Sequence, residues 1–331
     1  MEKQSEILTE QLVSKGFVTP EQHNEIKKYG QLGFFSLNSE LLFFLYISVL
    51  LFTSGVGILI YKNIDSIGHI AILVVNFILM LGCFFFSFKK AKGFSKEEVA
   101  FENPVYDYLV LAGSILGCIF IGYLQYQYTI FGKDFGLVSL FSAAFCFVIA
   151  YYFDNKSVLS IAITALATFI GITITPKTVL ANEVYSNPQL SYYGLALGAL
   201  LILIMEYTIR EKAKEHFHIV YATFALNLIG ICSVAGLLAD YWYVFIFLMA
   251  LAIYYFYKVS HQIASTFLFV FTLFYGYVGI NIYLGRLIVF METSSIIELI
   301  IYLLPFYVIG SIFLFIKLIQ KFNKEKHAGI Q

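Results

Sequence analysis

The chain has 331 residues, of which 60% are hydrophobic and 13% are charged. Soluble domains contain about 25% charged residues, so this composition indicates a membrane protein. The formal net charge at pH 7 is zero, which argues against a nucleic-acid-binding protein that relies on a strongly basic surface. The cysteines stand singly in apolar runs, without the spacing of a zinc site or a disulfide framework. They are Cys83, Cys118, Cys146 and Cys232.

Residues 1–39 are predicted to form a small cytoplasmic helical hairpin. Leu8 and Leu12 are four residues apart, which places them on one apolar stripe of a first helix. Thr19 and Gln22 have the spacing of a capping box, which predicts the start of a second helix. So short a segment cannot bury a large core, so we expect it to rest on the membrane, on a second copy or on a partner.

Residues 40–320 are predicted to be a bundle of about ten transmembrane helices, which makes the fold class all-α. A helix rises 1.5 Å per residue, so about 20 apolar residues cross the hydrocarbon of a bilayer. The predicted segments are 41–61, 67–88, 106–126, 135–153, 157–175, 190–209, 217–238, 241–257, 262–284 and 295–318.

The lysines and arginines predict the orientation. With ten spans, 17 of the 21 basic residues fall on the side of the two termini. Cytoplasmic connections are enriched in Lys and Arg, so we expect both termini, including the tail 321–331, to be cytoplasmic. The four basic residues of the opposite side are Lys62, Lys133, Lys177 and Arg286.

Gly55 and Gly57 lie near the end of the first apolar segment. Paired glycines can mark a broken helix whose free backbone binds an ion. They can equally allow a neighbouring helix to approach closely. The sequence leaves both alternatives open.

Two further residue patterns predict contacts between helices. Glycines four residues apart share one helix face and let another backbone approach, and an amide in lipid needs a hydrogen-bond partner on another helix. The glycines are Gly113 with Gly117 and Gly194 with Gly198, and the amides are Asn76, Asn227 and Asn281. A ligand site remains the alternative for the asparagines.

Gln125 and Gln127 alternate with tyrosines at the end of the third segment, on the side away from the termini. These amides could line a polar vestibule that receives a solute. They could instead belong to an interface belt in which the amides bond to headgroups or to loop backbone. This stretch is the best candidate in the sequence for a polar site on that side.

Glu298 is the carboxylate placed about one turn inside a spanning segment, and such a group is a functional candidate. Arg286 is predicted on the same side and could pair with it. The alternative is that Glu298 reaches water at the membrane surface. Glu206 lies near the basic stretch 210–214, which predicts a salt bridge at the membrane edge.

No nucleophile–base set, phosphate loop or haem motif occurs in the sequence. His216 and His218 are two residues apart, so they do not share a helix face, and no carboxylate pair accompanies them at metal-binding spacing. We therefore expect no catalytic residue, no metal site, no cofactor and no enzymatic activity.

Three stretches carry a resemblance to a known family. They are Leu8 to Ile26, which contains the motif Gly16 to Gln22, then Gly55 to Asp65, and Gly122 to Gly132. Together they touch about the first 160 residues, and there the chain resembles a bacterial predicted membrane protein family, the domain-of-unknown-function 2157 group. The resemblance implies a multi-spanning protein of the bacterial inner membrane behind a short cytoplasmic helical domain. It brings no established activity and no catalytic residues.

Two functions remain open. The first is a non-enzymatic scaffold or accessory subunit of an envelope complex, which meets the lipid bilayer and docks on another membrane protein through the hairpin. Scarce buried charge, short connections and packing glycines favour it. The second is a transporter or channel for a small or lipophilic solute, whose residues would share one cavity at mid-membrane. Its candidate residues are Gly55, Gly57, Gln125, Gln127, Glu298 and Arg286.

Overall fold

The computed structural model describes Thr19, Gln22 and residues 37–132, 135–179, 188–239, 242–291 and 294–328. The chain divides into two compact units, Met1–Asn63 and Ile64–Gln331. The described residues form ten α-helices and a 3-10 turn, Glu215–Phe217. The helices are α1 (Leu37–Ile67), α2 (His69–Lys90), α3 (Val105–Tyr128), α4 (Phe135–Phe153), α5 (Lys156–Val179), α6 (Pro188–Arg210), α7 (His218–Leu237), α8 (Trp242–Gln262), α9 (Thr266–Met291) and α10 (Ser294–Ala328).

Eight of these helices are long and apolar enough to cross a membrane. The other two, α1 and α5, contribute the shorter apolar stretches Phe43–Leu59 and Lys156–Ile172. The prediction of an all-helical protein with many membrane-spanning helices is therefore confirmed within the described residues. The count of ten spans stays a prediction.

In the first unit, Thr19 and Gln22 form the predicted capping box. The Thr19 N–H donates to Gln22 Oε1 at 3.0 Å, and the Gln22 N–H donates to Thr19 Oγ1 at 3.3 Å. These two bonds satisfy amide groups that the first turn of a helix leaves without partners. Leu8 and Leu12 lie outside the described residues, so the hairpin 1–39 stays a prediction.

Several helices extend beyond their predicted ends, and two of them continue through a proline. The last one, α10, has 35 residues and continues through Pro305, and the predicted tail 321–331 is helical as far as Ala328. Its length is about 52 Å, well beyond the thickness of the hydrocarbon. Similarly, α5 continues through Pro176 to Val179. Proline removes a single backbone N–H, so a helix that is otherwise well supported can accommodate it.

In the second unit, α7 lies at the centre and contacts α5, α6, α8 and α9. Three pairs of consecutive helices pack as hairpins, namely α2 with α3, α4 with α5, and α6 with α7. The core where α5, α6 and α7 meet consists of buried side chains that are mostly aliphatic or small. They include Val158, Leu159, Ala162, Leu201, Met205, Tyr221, Ala222 and Ala225.

The paired glycines lie at contacts between helices of this chain, as predicted. A Cβ added to Gly113 would lie 3.1 Å from the Phe84 ring, and one added to Gly198 would lie 2.5 Å from Ile229. The four contacts are Gly113 with Phe84, Gly117 with Phe145, Gly194 with Cys232 and Gly198 with Ile229. The absence of a side chain thus brings α2 and α4 close to α3, and α7 close to α6.

Two of the three asparagines bond to another helix. Tyr275 donates its hydroxyl to Asn227 Oδ1 at 2.9 Å, and Tyr307 donates to Asn281 Oδ1 at 3.1 Å. These bonds join α9 to α7 and to α10, which confirms the prediction of interhelical bonding at both positions. Asn76 is buried, and its Oδ1 atom has no hydrogen-bond partner among the described residues.

Candidate functional site

Gly55 and Gly57 lie inside α1, which is one continuous helix from Leu37 to Ile67. The alternative in which they break the helix is therefore wrong, because the backbone N–H and C=O groups there have helical geometry. Close packing against another helix stays a prediction at these two positions.

Gln125 holds the turn that follows α3. Its side chain is buried, its Nε2 donates to the Gly132 carbonyl at 2.7 Å, and its Oε1 accepts from the Phe131 N–H at 2.8 Å. Thr129 ends the helix in the left-handed conformation at φ 46°, so the chain folds back over this amide. Gln127 is half-buried. The geometry at Gln125 favours the belt in which an amide bonds to loop backbone.

Arg286 contacts the end of α7. Its Nη2 donates to the Ala239 carbonyl at 3.0 Å, and its guanidinium carbon lies 5.7 Å from the centre of the Trp242 ring. The side chain of Glu298 lies outside the described residues, so a pair with Arg286 stays a prediction. Gln125 and Arg286 therefore bond to two different turns, and the structure does not bring them together.

A cluster of buried ionic groups lies where three connections meet, and Asp154 is at its centre. The Lys214 ammonium lies 3.1 Å from Asp154 Oδ1, and His216 Nε2 lies 2.5 Å from the same oxygen. The Val99 N–H donates to Oδ2 at 2.6 Å. The side chains of Asp154 and Lys214 are each only 2% exposed. We call Asp154, Lys214 and His216 the ionic cluster.

The turn between α4 and α5 aims the Asp154 carboxylate into this cluster. Asp154 takes the left-handed conformation at φ 63°, which Asp tolerates better than most residues, and the Asn155 N–H donates to the Ala150 carbonyl at 3.1 Å. Asn155 Oδ1 then accepts the Val158 N–H at 3.0 Å and caps α5. The same side chain donates to the Asp107 carbonyl at 3.1 Å.

Lys214 fixes the connection 91–104 to the cluster. Its backbone N–H donates to the Lys96 carbonyl at 2.7 Å, and its ammonium lies 5.4 Å above the centre of the Phe94 ring. Lys214 is itself left-handed at φ 58°. This fold of the chain directs both the amide and the side chain of one residue towards the interior.

An exposed ion pair flanks the buried cluster. Lys156 Nζ lies 2.8 Å from Glu98 Oε1, and the two side chains are 45% and 57% exposed. The hydrogen bond from Lys156 lowers the pKa of Glu98 below its usual value. Such a solvated pair contributes little to stability, so the buried groups dominate the energetics here.

The ionic cluster stabilises the arrangement of the connections that surround it. A buried charge is stable only when it is paired and hydrogen-bonded, and the Asp154 carboxylate accepts three donors. Its partners come from connections 91–104 and 211–217, which are thereby joined to connection 154–155 at one end of the second unit. We call this end the lysine-rich face. With the ten predicted spans, these three connections all fall on the side of the two termini.

The ionic cluster was not predicted from the sequence. The available signal was the shortness of the connection between α4 and α5, where Asp154 and Asn155 stand between two apolar segments. Both residue types favour helix ends and turns. The partners of Asp154 come from distant parts of the chain, so only the tertiary structure identifies them.

Glu206 bonds differently from the prediction. Its Oε1 accepts a hydrogen bond from the Tyr255 hydroxyl at 2.9 Å, which joins α6 to α8. The predicted salt bridge with the stretch 210–214 is wrong, because within the described residues Glu206 forms no ion pair with that stretch and Lys214 pairs with Asp154 instead.

Residues 10–159, just under half of the chain, match the family model described as "Predicted membrane protein (DUF2157)". The match confirms the resemblance over the N-terminal part of the chain, including the first contributor to the ionic cluster, Asp154. No curated protein and no solved structure matches the chain. The fold and the family match together define a multi-helical membrane protein.

Proposed function

We propose that the chain is a non-enzymatic scaffold or accessory subunit of a complex in the bacterial cytoplasmic membrane. The observation that carries this proposal is the ionic cluster, in which a buried acid, a lysine and a histidine tie three connections together. A rigid face built in this way presents fixed connections to a partner.

The two candidate transport residues with described side-chain bonds, Gln125 and Arg286, also serve local structure. Their donors are directed to the carbonyls of Gly132 and Ala239. A transporter or channel would need these groups in a shared polar cavity, and their separate bonds give that alternative no support. It remains the competing function in the experiment below.

We further propose ten spans with both termini in the cytoplasm. The support is the contact between connections 91–104, 154–155 and 211–217, which must lie on one side of the membrane if each helix from α3 to α6 crosses it. The lysine-rich face then faces the cytoplasm, in agreement with the orientation that the distribution of basic residues predicts. Reporters fused to the two ends should respond from the same side, and a response from opposite sides would contradict this topology.

Gentle purification of the full chain tests the scaffold. We expect a membrane protein to co-purify in stoichiometric amount, and Leu8→Ser with Leu12→Ser to release it because the apolar stripe of the hairpin is lost. Glu6→Gln with Glu10→Gln changes the opposite side of the same predicted helix and should retain it. A chain without a stoichiometric partner that conducts a solute in proteoliposomes, with conduction lost on changing Gln127, would contradict the scaffold and support transport.

A further inference from the structure

The segment Lys89–Lys96 joins the end of α2 to the connection 91–104 and carries a concentrated positive charge. Four of its eight residues are lysines, and none of the eight is acidic. The four lysines, Lys89, Lys90, Lys92 and Lys96, are all exposed. Within the described part of the chain, no carboxylate forms an ion pair with any of them.

Other lysines of the same face are used differently. Lys156 pairs with Glu98, and Lys214 pairs with Asp154. Lys89 and Lys90 lie in the last turn of α2, where a cation also complements the helix dipole. Lys92 and Lys96 lie beyond the helix, so the dipole does not account for them.

Two partly exposed aromatic residues accompany these lysines in the sequence, Phe88 directly before the segment and Phe94 within it. Phe94 is 61% exposed and Phe88 is 49% exposed. A phenyl ring directly before and within a run of lysines, at the end of an apolar spanning helix, is suited to the boundary between hydrocarbon and headgroups. A soluble acidic partner would require the lysines but would not require these rings.

The segment is also held in a fixed position. Gly93 makes the turn after α2 with φ 84°, a conformation that side chains rarely adopt. The Lys96 carbonyl accepts the Lys214 N–H at 2.7 Å, and the Phe94 ring lies below the Lys214 ammonium. Little ordering is then needed when a ligand binds, which favours affinity.

We propose that the segment Lys89–Lys96 is a binding site for the phosphate headgroups of anionic phospholipids in the leaflet that it borders. The lysines supply the charge, the exposed parts of the Phe88 and Phe94 rings face the acyl chains, and the contacts with Lys214 hold the backbone in place. This site is independent of whether the protein is a scaffold.

The test is native mass spectrometry of the full chain in micelles that contain equal amounts of phosphatidylglycerol and phosphatidylcholine. The wild type should retain phosphatidylglycerol preferentially. A variant with Lys89→Gln, Lys90→Gln, Lys92→Gln and Lys96→Gln should lower that preference about tenfold or more, because each lysine near an anionic surface adds to the attraction. The preference should also weaken as salt is raised.

The matched control removes four charges from α10, by Lys317→Gln, Lys321→Gln, Lys324→Gln and Lys326→Gln. These lysines are spread over about three turns, and Lys321 already lies 3.8 Å from Glu325. The control should keep most of the preference. An equal loss in both variants would overturn the site, because it would reflect the general charge of the face.

Two further arms identify the ligand. Inorganic phosphate and a poly-glutamate peptide are each added to the wild-type micelles, and neither should displace phosphatidylglycerol at concentrations where lipid is retained. Displacement by either one would overturn lipid recognition in favour of free phosphate or an acidic protein. If the quadruple variant does not fold, Lys92→Glu alone replaces it, and unchanged retention by that variant counts against the proposal.

Discussion

Lys214 and Asp154 are joined by a buried ion pair although they belong to connections on either side of the α5–α6 pair. The charge of the Asp154 carboxylate balances the charge of the Lys214 ammonium, and the same carboxylate also contacts His216 and accepts the Val99 N–H. The energetic consequence is asymmetric, because removing one partner leaves the other as an isolated charge in the interior.

Asp154→Asn is expected to lower the free energy of unfolding by about 3–5 kcal/mol, since Lys214 would stay buried without its counter-charge. The double variant Asp154→Asn with Lys214→Met should recover much of this loss. Unfolding of purified protein by SDS, followed by circular dichroism, measures both. Lys156→Gln, at the exposed pair, should change the value by less than about 1 kcal/mol. Additive effects of the two cluster substitutions would contradict the pairing.

Ala264 ends α8 in the left-handed conformation at φ 53°, and the Ser265 N–H donates to the Ser260 carbonyl at 3.1 Å. This conformation is unfavourable for an L-residue with a Cβ, so Ala264→Gly should stabilise the protein by about 1 kcal/mol. Ala252→Gly, inside the same helix, should destabilise it by about 1 kcal/mol. A shift of the melting temperature in the same direction for both variants would refute the interpretation.

Gly236 lies against the buried ring of Phe245, and a Cβ added there would overlap that ring. Gly236→Ala should therefore destabilise the contact between α7 and α8 by about 1–3 kcal/mol. At Gly122, an added Cβ would have no atom of the described residues within 4 Å. Gly122→Ala should be neutral or stabilising because alanine favours the helix. Equal melting temperatures for the two variants would contradict the close contact between Gly236 and the Phe245 ring.

The Tyr275 hydroxyl donates a hydrogen bond to Asn227. Tyr275→Phe should therefore lower the free energy of unfolding by about 0.6 kcal/mol, the average contribution of a side-chain hydrogen bond between membrane helices. Asn227→Leu in the Tyr275→Phe background should cost less than it does in the wild type. A double-mutant cycle of unfolding free energies in SDS measures the coupling. A coupling of zero would mean that the bond does not hold α9 to α7.

The helical architecture could be predicted from the sequence because a bilayer demands long apolar segments, and each of the ten predicted segments overlaps one described helix. The ends of the helices were predicted less accurately. At α10, for example, the polar residues after 318 are compatible both with a tail and with a continued helix. The contacts at Gly113 and Gly198 could be predicted because each glycine has a second glycine four residues away, and small residues at that spacing let another membrane helix approach.

The polar contacts were less predictable. Gln125 could be singled out in the sequence because it alternates with tyrosines at the end of an apolar segment. Its bonds to Gly132 and Phe131, however, depend on the left-handed turn at Thr129. Asp154 drew no attention as a site because a single carboxylate in a short connection is ordinary. Its role depends on Lys214 and His216, and the sequence contains no local pattern that relates residues so far apart.

The position of Asp154 along the chain has a consequence for biosynthesis. Chains emerge from the ribosome starting with the N-terminus, so Asp154 and the turn that carries it exist before Lys214 and His216 have been made. Until the chain beyond α6 has been made, the carboxylate lacks Lys214 and His216, and connection 91–104 lacks the bond from the Lys214 N–H to the Lys96 carbonyl. The first half of the second unit therefore reaches its mature arrangement only after translation has passed residue 216, and a chain truncated after α5 would keep an open, hydrated turn at this end.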